Sequence, residues 1–290
     1  LGAVAAKKCG MPVPLEPRSS SSIAAGAQAS QGRPFWLLLY VIRYRKFVEN
    51  LIDRARNAQC SALVVTMDLQ VFGQRHKDKK NGLSMPPRPT LRNIFNMASK
   101  PRWCFNMLRT PHRQFGNIVG HADGVNSIKS LVEWTQQQFD PGLSWQDIEW
   151  IKKRWGGKLI VKGIQDPEDA RLAVECGVDA IVVSNHGGRQ LDGACSSISA
   201  LPRIVDAVGR QVEVHLDGGI RSGQDVLKAI ALGARGTYIG RAMLYGLGAQ
   251  GQQGVTTALE IIQNELDLSM AFCGRTDIGK VDREILLARS

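Results

Sequence analysis

The chain has 290 residues, of which 43% are hydrophobic, and it carries a formal net charge of +11 at pH 7. This composition argues against a disordered chain and allows one large domain or two ordinary ones. The six cysteines show no CxxC spacing, which argues against a zinc site or a disulfide framework and favours a reduced, intracellular compartment.

The hydropathy pattern and the charge restrict where the protein works. No apolar run approaches the ~20 residues of a membrane span, and residues 1–30 lack the basic and then apolar pattern of a secretory signal. The positive charge is compatible with nucleic acid, an anionic membrane surface, or small molecules that carry phosphate or carboxylate groups. We therefore expect a soluble protein whose basic surface allows peripheral membrane contact.

Seven short apolar runs along the chain are each followed by a polar or glycine-bearing turn. Apolar, β-branched runs are typical of buried parallel strands, and apolar residues three and four apart indicate helices. The predicted strands are Val13–Leu15, Phe35–Val41, Ala62–Asp68, Lys158–Gly163, Asp179–Asn185, Val212–Gly219 and Gly236–Gly240. The predicted helices are Phe47–Gln59, Asp166–Cys176, Gln224–Leu232 and Gly254–Cys273.

This alternation of strands and helices predicts an α/β fold, a TIM (β/α)8 barrel with its helices on the outside of a parallel sheet. Seven strands are visible where a closed barrel of this type has eight. We treat residues 1–290 as a single domain. A long insert of about residues 70–150, rich in Arg, Lys, Pro and Asn, follows the third visible strand, and we expect it to form a partly mobile cover over the strand ends.

The segment SNHGGRQLD, after the fifth visible strand, places His186 three residues before Arg189. Strand ends carry the chemistry of such barrels. An imidazole titrates near neutral pH and a guanidinium binds carboxylates in a fork, so the pair suits proton removal from a hydroxy acid. Asp68, at the end of the third visible strand, is placed to stabilise the imidazolium. The alternative is a histidine that merely packs in the core.

Three further strand ends carry residues suited to bind an anion. Lys162 ends a buried strand, so we expect it to face an anion or an electron-rich ligand edge; a structural salt bridge is the alternative. LDGGIRSG and IGRA follow the last two strands, where barrels bind phosphate through loop amides. Arg221 and Arg241 would add charged contacts. The alternative is that these glycines only make tight turns, but two such motifs at successive strands favour phosphate.

The other histidines give no indication of a metal site. His76 and His112 lie in the basic insert, where we expect them to be solvated, and His215 lies within a strand, where we expect it to pack. None has metal-ligand spacing to a second His, Cys or carboxylate, so we predict no bound metal.

Five separated segments resemble the FMN-dependent α-hydroxy acid dehydrogenase and oxidase family in sequence, order and spacing. They are VVTMD, IVKGI, SNHGGRQLDG, LDGGIRSG and IGRA, and the similarity runs from near residue 1 to about Ile278. The segment FDPGLSWQDIEWIKKRW, followed by KGIQDPEDA, is most similar to the respiratory L-lactate dehydrogenase branch. The resemblance implies a TIM barrel that binds FMN and oxidises L-lactate, or a similar L-2-hydroxy acid, to the 2-keto acid.

The resemblance also implies a role for each residue at the strand ends. His186 would be the active-site base, with Asp68 as its partner and Tyr40 as a contact to the substrate hydroxyl. Arg189 and Arg75 would bind the substrate carboxylate. The implied FMN-binding residues are Thr66 at the pyrimidine edge, Lys162 at the N1 and O2 edge, Asp217 at the ribityl hydroxyls, and Gly219, Arg221, Gly240 and Arg241 around the phosphate.

The chain departs from the family in three places. By the resemblance it begins after the family's first strand, which implies an N-terminally truncated barrel with the insert after the family's fourth strand. Leu38 stands where the family has a glutamine that binds the flavin, and Glu16 and Pro17 stand where the family has a serine or threonine near the ring. A catalytically impaired fragment or remnant that does not hold flavin is therefore the alternative hypothesis.

The resemblance implies partners and a location as well. The electron acceptor would be a membrane quinone, the assembly a homo-tetramer, and the location cytoplasmic, at the inner face of the plasma membrane. Nucleic-acid binding is a weaker alternative that only the basic insert suggests. Because the chain has no aromatic and basic surface motif, we predict no nucleic-acid partner.

Overall fold

The computed structural model describes residues 2–8, 10–16, 19–71, 73–82, 90–110, 115–118, 121 and 138–287. Within them, seven strands form one parallel sheet whose order follows the chain. The strands are β1 (Val13–Leu15), β2 (Phe35–Tyr40), β3 (Ala62–Thr66), β4 (Lys158–Ile164), β5 (Ala180–Val183), β6 (Glu213–Asp217) and β7 (Gly236–Tyr238). All seven predicted strands are confirmed. Several predicted strands extend further than the observed ones, because their polar ends belong to the loops.

Side chains along each strand alternate between two apolar cores. Leu37, Leu63 and Leu159 are neighbours across β2, β3 and β4, and they pack in the core beneath the helices. Val64 and Ile160, one residue further along, face the other side and pack in a second cluster. Both faces are therefore apolar, which is why these strands appear in the sequence as continuous hydrophobic runs.

The sheet curls strongly, so that distant strands face each other across its interior. The rings of Trp36 on β2 and Tyr238 on β7 lie with their centroids 6.1 Å apart, although four strands separate β2 from β7 in the sheet order. A curled parallel sheet with helices outside is the architecture of the TIM barrel, as predicted. The single-domain organisation and the absence of a first strand stay predictions.

The helices begin with side chains that cap their first turns. The Asp166 carboxylate accepts a hydrogen bond of 2.8 Å from the Glu168 amide, and the Ser222 hydroxyl accepts one of 3.2 Å from the Asp225 amide. The helices are Gly2–Lys8, Ile23–Ser30, Arg45–Asn57, His76–Lys80, Leu91–Ala98, Pro101–Arg109, Trp145–Trp155, Pro167–Glu175, Ser197–Val208, Gly223–Ala231 and Arg241–Phe272. Short 3₁₀ turns span His186–Gly188, Ile278–Lys280 and Arg283–Ile285.

The four predicted helices are present, and the last one differs in extent. It begins at Arg241 rather than Gly254, and it is interrupted at Gln250 and Gly251, where the backbone leaves the helical conformation. Gly246 and Gly254 pack against each other too closely for a side chain at either position. This glycine contact lets the chain fold back on itself before the helix continues.

Asn117 attaches the insert to the helical layer. Its side chain is fully buried, its Oδ1 accepts from the Ile23 amide at 2.8 Å and from Arg54 Nη2 at 2.9 Å, and its Nδ2 donates to the Ser21 carbonyl at 3.1 Å. Further along, Arg43 N donates to the Gln138 carbonyl at 3.0 Å. The insert is thus attached at two points to the elements around β2. Its predicted mobility stays a prediction.

In the part of the chain that the structure describes, no helix is both long enough and apolar enough to cross a bilayer.

Candidate active site

The carboxyl ends of the parallel strands bring the predicted site residues to one end of the sheet. Tyr40, Thr66 and Lys162 are direct neighbours across β2, β3 and β4, at or near the last paired residues of these strands. His186 follows β5, and Asp217 ends β6. The residues predicted for substrate and flavin therefore converge on one mouth of the curled sheet.

His186 and Asp68 form a side-chain pair at this mouth. The His186 Nδ1 atom lies 3.0 Å from Asp68 Oδ1, and the side chains are only 20% and 13% exposed. When Nδ1 donates its proton to the carboxylate, Nε2 carries the lone pair and faces away from Asp68. The structure therefore places Asp68 directly beside His186, in a geometry that suits an oriented base; the catalytic roles of the two residues stay predictions.

Gly163, which the sequence analysis did not select, allows Asp68 to lie close to the backbone of β4. Gly163 has a φ of +108°, and a side chain there would meet Asp68 atoms at 2.8 Å. It lies where the pairing of β4 with β5 shifts register. The glycine of IVKGI is therefore the signal that the sequence offered for this close approach.

Lys162 forms an ion pair, the alternative that the sequence left open. Its Nζ lies 2.8 Å from Asp217 Oδ2 and 3.0 Å from the Ser184 hydroxyl, which in turn donates to Asp217 Oδ2 at 2.7 Å. An ammonium has three protons, and these two contacts use two of them. Lys162 is 9% exposed, so its remaining proton lies in a largely dry site where an anionic ligand edge would be favoured.

Ser184 is a site residue that the sequence analysis did not select. Its side chain is fully buried, and besides its contacts to Lys162 and Asp217 its Oγ accepts from the His186 amide at 3.1 Å. The hydroxyl therefore connects the histidine loop to the ion pair. The signal was its place in SNHGG, directly after the apolar run of β5.

The two arginines predicted to bind a carboxylate lie where the insert meets the loop after β5. Arg189 Nη2 is 2.9 Å from Asp78 Oδ2, and Arg75 Nη2 donates to Gln190 Oε1 at 2.9 Å. A side chain at Gly73 would meet the backbone of Arg189 and Gln190 at 2.8 Å. The insert therefore packs directly on this loop, and Arg189 is already engaged by a carboxylate of the chain itself.

The two glycine motifs leave room for a ligand after β6 and β7. Among the residues that the structure describes, none other than the chain neighbours has an atom within 4 Å of where a side chain would stand at Gly219 or Gly240. Arg221 and Arg241 are exposed, and Arg241 Nη2 donates to the Gly187 carbonyl at 3.1 Å. Arg241 thus joins the loop after β7 to the histidine loop, next to the free amides at the start of its helix.

Three features of the residues at the mouth suit an FMN site. The Thr66 hydroxyl is buried and has no hydrogen-bond partner among the described residues, so a ligand with a polar edge would satisfy it. It neighbours Lys162, whose positive charge suits an electron-rich ring. Open space at Gly219 and Gly240 allows backbone amides to approach a phosphate.

Two of the remaining histidines, His215 and His76, lie in β6 and in the helix His76–Lys80. His215 is buried in β6, as predicted, with Nε2 3.2 Å from Glu213 Oε2 and its ring 5.9 Å from that of Tyr238. Burial raises the pKa of the Tyr238 phenol, and the charges of Asp217 and Glu213 act in the same direction. His76 is exposed, and His112 lies outside the described residues. Within the described ranges, no three His, Cys, Asp or Glu side chains converge as metal ligands would.

Known proteins resemble the chain over nearly all of its length. An L-lactate dehydrogenase of Caulobacter vibrioides is 43% identical over 264 residues, which cover 90% of the chain and 68% of that protein. One of Acinetobacter baylyi is 41% identical over 98% of the chain and 74% of its own length.

Solved structures give the same result for the fold. The crystal structure of the monotopic membrane protein (S)-mandelate dehydrogenase matches with a TM-score of 0.93 at 33% identity, and the match covers 99% of the chain and 76% of that protein. A mandelate oxidase variant with (S)-mandelic acid matches with a TM-score of 0.78 at 34% identity over 97% of the chain and 71% of its own length. The sequence model of the FMN-dependent dehydrogenases matches residues 2–288. The chain belongs to the FMN-dependent dehydrogenase family.

Proposed function

We propose that this protein oxidises L-lactate, or a similar L-2-hydroxy acid, to the 2-keto acid with FMN as its cofactor. The observation that carries the proposal is the His186–Asp68 pair, 3.0 Å apart at the mouth of the sheet, in a chain of this family. The relatives named as L-lactate dehydrogenases and the neighbours named for mandelate support a small 2-hydroxy acid as the substrate.

In this proposal each side chain at the mouth has one task. Asp68 orients His186, and Nε2 of His186 takes and holds the proton that the substrate loses. Arg189 and Arg75 bind the substrate carboxylate, and Tyr40 contacts the hydroxyl. FMN, when bound, accepts the two electrons of the oxidation.

The cofactor would lie against the residues that end the strands. Thr66 would satisfy its free hydroxyl on the flavin, and Lys162, backed by Asp217, would supply positive charge beside it. The remaining FMN contacts of the proposal surround the phosphate: Gly219, Arg221, Gly240 and Arg241. Arg221 and Arg241 lie on exposed loops, which suits a charged group that enters from solvent.

Substitution of the histidine pair tests the proposal. We expect His186→Gln and Asp68→Asn to lower kcat for L-lactate with a soluble dye acceptor by about 10²–10⁴-fold while the visible spectrum of bound flavin is unchanged. His76→Gln, which changes an exposed histidine of the insert, is the control and should keep full activity. A His186→Gln enzyme that produces pyruvate as fast as the native enzyme would overturn the assignment.

We also propose that the electrons pass to a membrane quinone and that the protein works in the cytoplasm, at the inner face of the plasma membrane, as a homo-tetramer. The charge of +11 and a close structural neighbour described as monotopic support the membrane. The tetramer rests on the family resemblance alone. Light scattering of the flavin-loaded protein tests the tetramer. We expect a molar mass four times that of the chain.

One observation favours the alternative, a chain that does not retain flavin. Leu38 lies on the interior side of β2, in the cluster that contains Val64 and Ile160, where an amide could have bonded to a cofactor. The two hypotheses differ in one measurable property, because only the first requires tight binding of FMN.

A further inference from the structure

Gln190 is the residue at which the loop after β5 meets the start of the insert. Its Nε2 donates to the Val71 carbonyl at 3.1 Å, and its Oε1 accepts from Arg75 Nη2 at 2.9 Å. Between these two contacts the backbones approach closely, because a side chain at Gly73 would meet Gln190 Cα at 2.8 Å. The side chain of Gln190 therefore binds the insert on both sides of this close approach.

The two contacts of the Gln190 side chain fix the orientation of its amide. A carboxamide accepts at its oxygen and donates at its nitrogen. The oxygen faces the Arg75 guanidinium, which can only donate, and the nitrogen faces the Val71 carbonyl, which can only accept. Rotation of the amide by half a turn would break both bonds. Gln190 therefore holds Arg75 in one position and not merely near the loop.

The acceptor that holds Arg75 carries no charge. Arg189, the neighbour of Gln190 in the chain, contacts the Asp78 carboxylate at 2.9 Å, whereas the bond from Arg75 to Gln190 ends on an amide oxygen. An amide oxygen orients a guanidinium without neutralising it. This contact therefore leaves the positive charge of Arg75 available to an anion.

The place of Gln190 in the chain relates it to the substrate. One loop carries Arg189 and, through the next residue, holds Arg75. In the proposed function both guanidiniums bind the substrate carboxylate, so their separation depends on Gln190. Guanidiniums bind a carboxylate best in a fixed geometry, and a mobile Arg75 would therefore bind it more weakly.

We propose that Gln190 is a positioning residue for substrate binding, which holds Arg75 beside Arg189 through a neutral acceptor so that both guanidiniums meet one carboxylate. Gln190 acts through Arg75 and does not itself contact the substrate. The inference rests on the proposed function, because it concerns how the same site holds a 2-hydroxy acid. It predicts an effect on the binding of carboxylates and little effect on the chemical step.

Binding of oxalate tests this role, because oxalate is a dicarboxylate with no carbon-bound hydrogen to lose. Isothermal calorimetry of the protein with FMN added measures its affinity. We expect Gln190→Met, which removes both hydrogen bonds at similar size, to weaken oxalate binding about tenfold. Steady-state kinetics should show KM for L-lactate raised about tenfold and kcat changed less than about twofold. Gln190→Glu keeps the shape but sets a negative charge against Arg75, and it should weaken oxalate binding about tenfold as well.

A double-mutant cycle separates positioning of Arg75 from a general effect on the loop. Arg75→Met should weaken oxalate binding, and Gln190→Met should add no further loss in that background, since both substitutions remove one shared interaction. Gln165→Met is the matched control. Gln165 Nε2 also donates to a carbonyl of the loop after β5, that of Cys195 at 2.8 Å, and its substitution should leave oxalate binding unchanged.

Four results would overturn the role of Gln190. They are a native protein that binds no oxalate, a Gln190→Met or Gln190→Glu variant that binds it as tightly as the native protein, an equal loss from Gln190→Met with and without Arg75→Met, and an equal loss in Gln165→Met. Calorimetry requires no turnover. A native protein that binds oxalate but does not oxidise L-lactate would therefore fail the proposed function alone, and the role of Gln190 would still be measured.

Discussion

At the scale of single residues, His186 adopts a backbone conformation that non-glycine residues seldom take. Its φ is +56°, in the left-handed region. The hydrogen bond from its own amide to Ser184 and the bond from its ring to Asp68 both hold it there. A constrained conformation that two contacts maintain at a reactive side chain is typical of a functional position.

Asp78 is a second residue whose contact affects the proposed chemistry. Its carboxylate lies 2.9 Å from the Arg189 guanidinium, and the two side chains are 27% and 42% exposed. The substrate carboxylate must share or replace this contact to reach Arg189. Because an ion pair this exposed is weak, substrate can compete with it at modest cost.

We expect Asp78→Asn to lower KM for L-lactate by up to about fivefold with little change in kcat, since it removes a competing negative charge. Steady-state kinetics with a dye acceptor measure both constants. Asp192→Asn, at an exposed carboxylate in the same loop as Arg189, is the control and should leave KM unchanged. An increase of KM in Asp78→Asn would mean that Asp78 positions Arg189 instead of competing for it.

Residue chemistry at strand ends was predictable, whereas partners across the sheet were only partly so. His186 and Asp68 could be paired because both follow buried strands of one parallel sheet. The contact between Lys162 and Asp217 was not predicted, because β5 separates their strands in the sheet and spacing along the chain does not show which side chains meet across the mouth. Ser184 and Gly163 were not selected, although both lie in quoted strand-end segments, because a serine or a glycine at a strand end is common and does not by itself indicate a buried hydroxyl or a close backbone approach.

At the scale of elements, Asp179, which lies directly before β5, connects the helix Trp145–Trp155 to the start of β4. Its Oδ2 accepts from Lys152 Nζ at 2.7 Å and from the Leu159 amide at 2.8 Å. Burial alone would raise the pKa of this carboxyl, but the hydrogen bonds from Lys152 and Leu159 and the nearby lysine charges outweigh burial and hold the pKa below its ordinary value.

A depressed pKa in the folded state stabilises the fold only while the carboxyl is ionised. The contribution of Asp179 is therefore fully present above the unfolded-state pKa of about 3.9 and is lost as the pH falls through the lower folded-state pKa. We expect Asp179→Asn to lower the free energy of unfolding at neutral pH and the difference from the native protein to shrink at acidic pH. Urea unfolding at several pH values measures this. A difference independent of pH would contradict it.

Periodicity predicted four helices that bury one face, but it did not identify Trp145–Trp155 and Ser197–Val208, which also bury one face. The helices Pro167–Glu175 and Gly223–Ala231 differ from the predictions by one residue at each end. The helices Leu91–Ala98 and Pro101–Arg109 were not predicted, and neither has a buried residue that would fix a period. The interruption at Gln250 and Gly251 depends on a contact between Gly246 and Gly254. The attachment through Asn117 depends on residues far apart in the sequence and was equally hidden.

At the scale of the whole molecule, one curled sheet brings the proposed site residues together at its mouth. Trp36 and Tyr238 approach each other across its interior, its mouth carries the histidine pair and the ion pair, and the insert contacts the loop after β5 through Gly73 and Asp78. The barrel was predictable because seven strands recur with helices between them. The path of the insert was not, because its contacts involve no repeated pattern.

Above all, we expect this chain to bind FMN and to reduce it with a 2-hydroxy acid. The most direct test is the visible absorption spectrum of the purified protein with added FMN, recorded before and after L-lactate is added without oxygen. We predict the shifted bands of bound flavin, which bleach when L-lactate is added. The spectrum of free flavin, unchanged by L-lactate, would contradict this expectation. It would favour the alternative, a chain that does not hold flavin because Leu38 stands where the family has a flavin-binding glutamine.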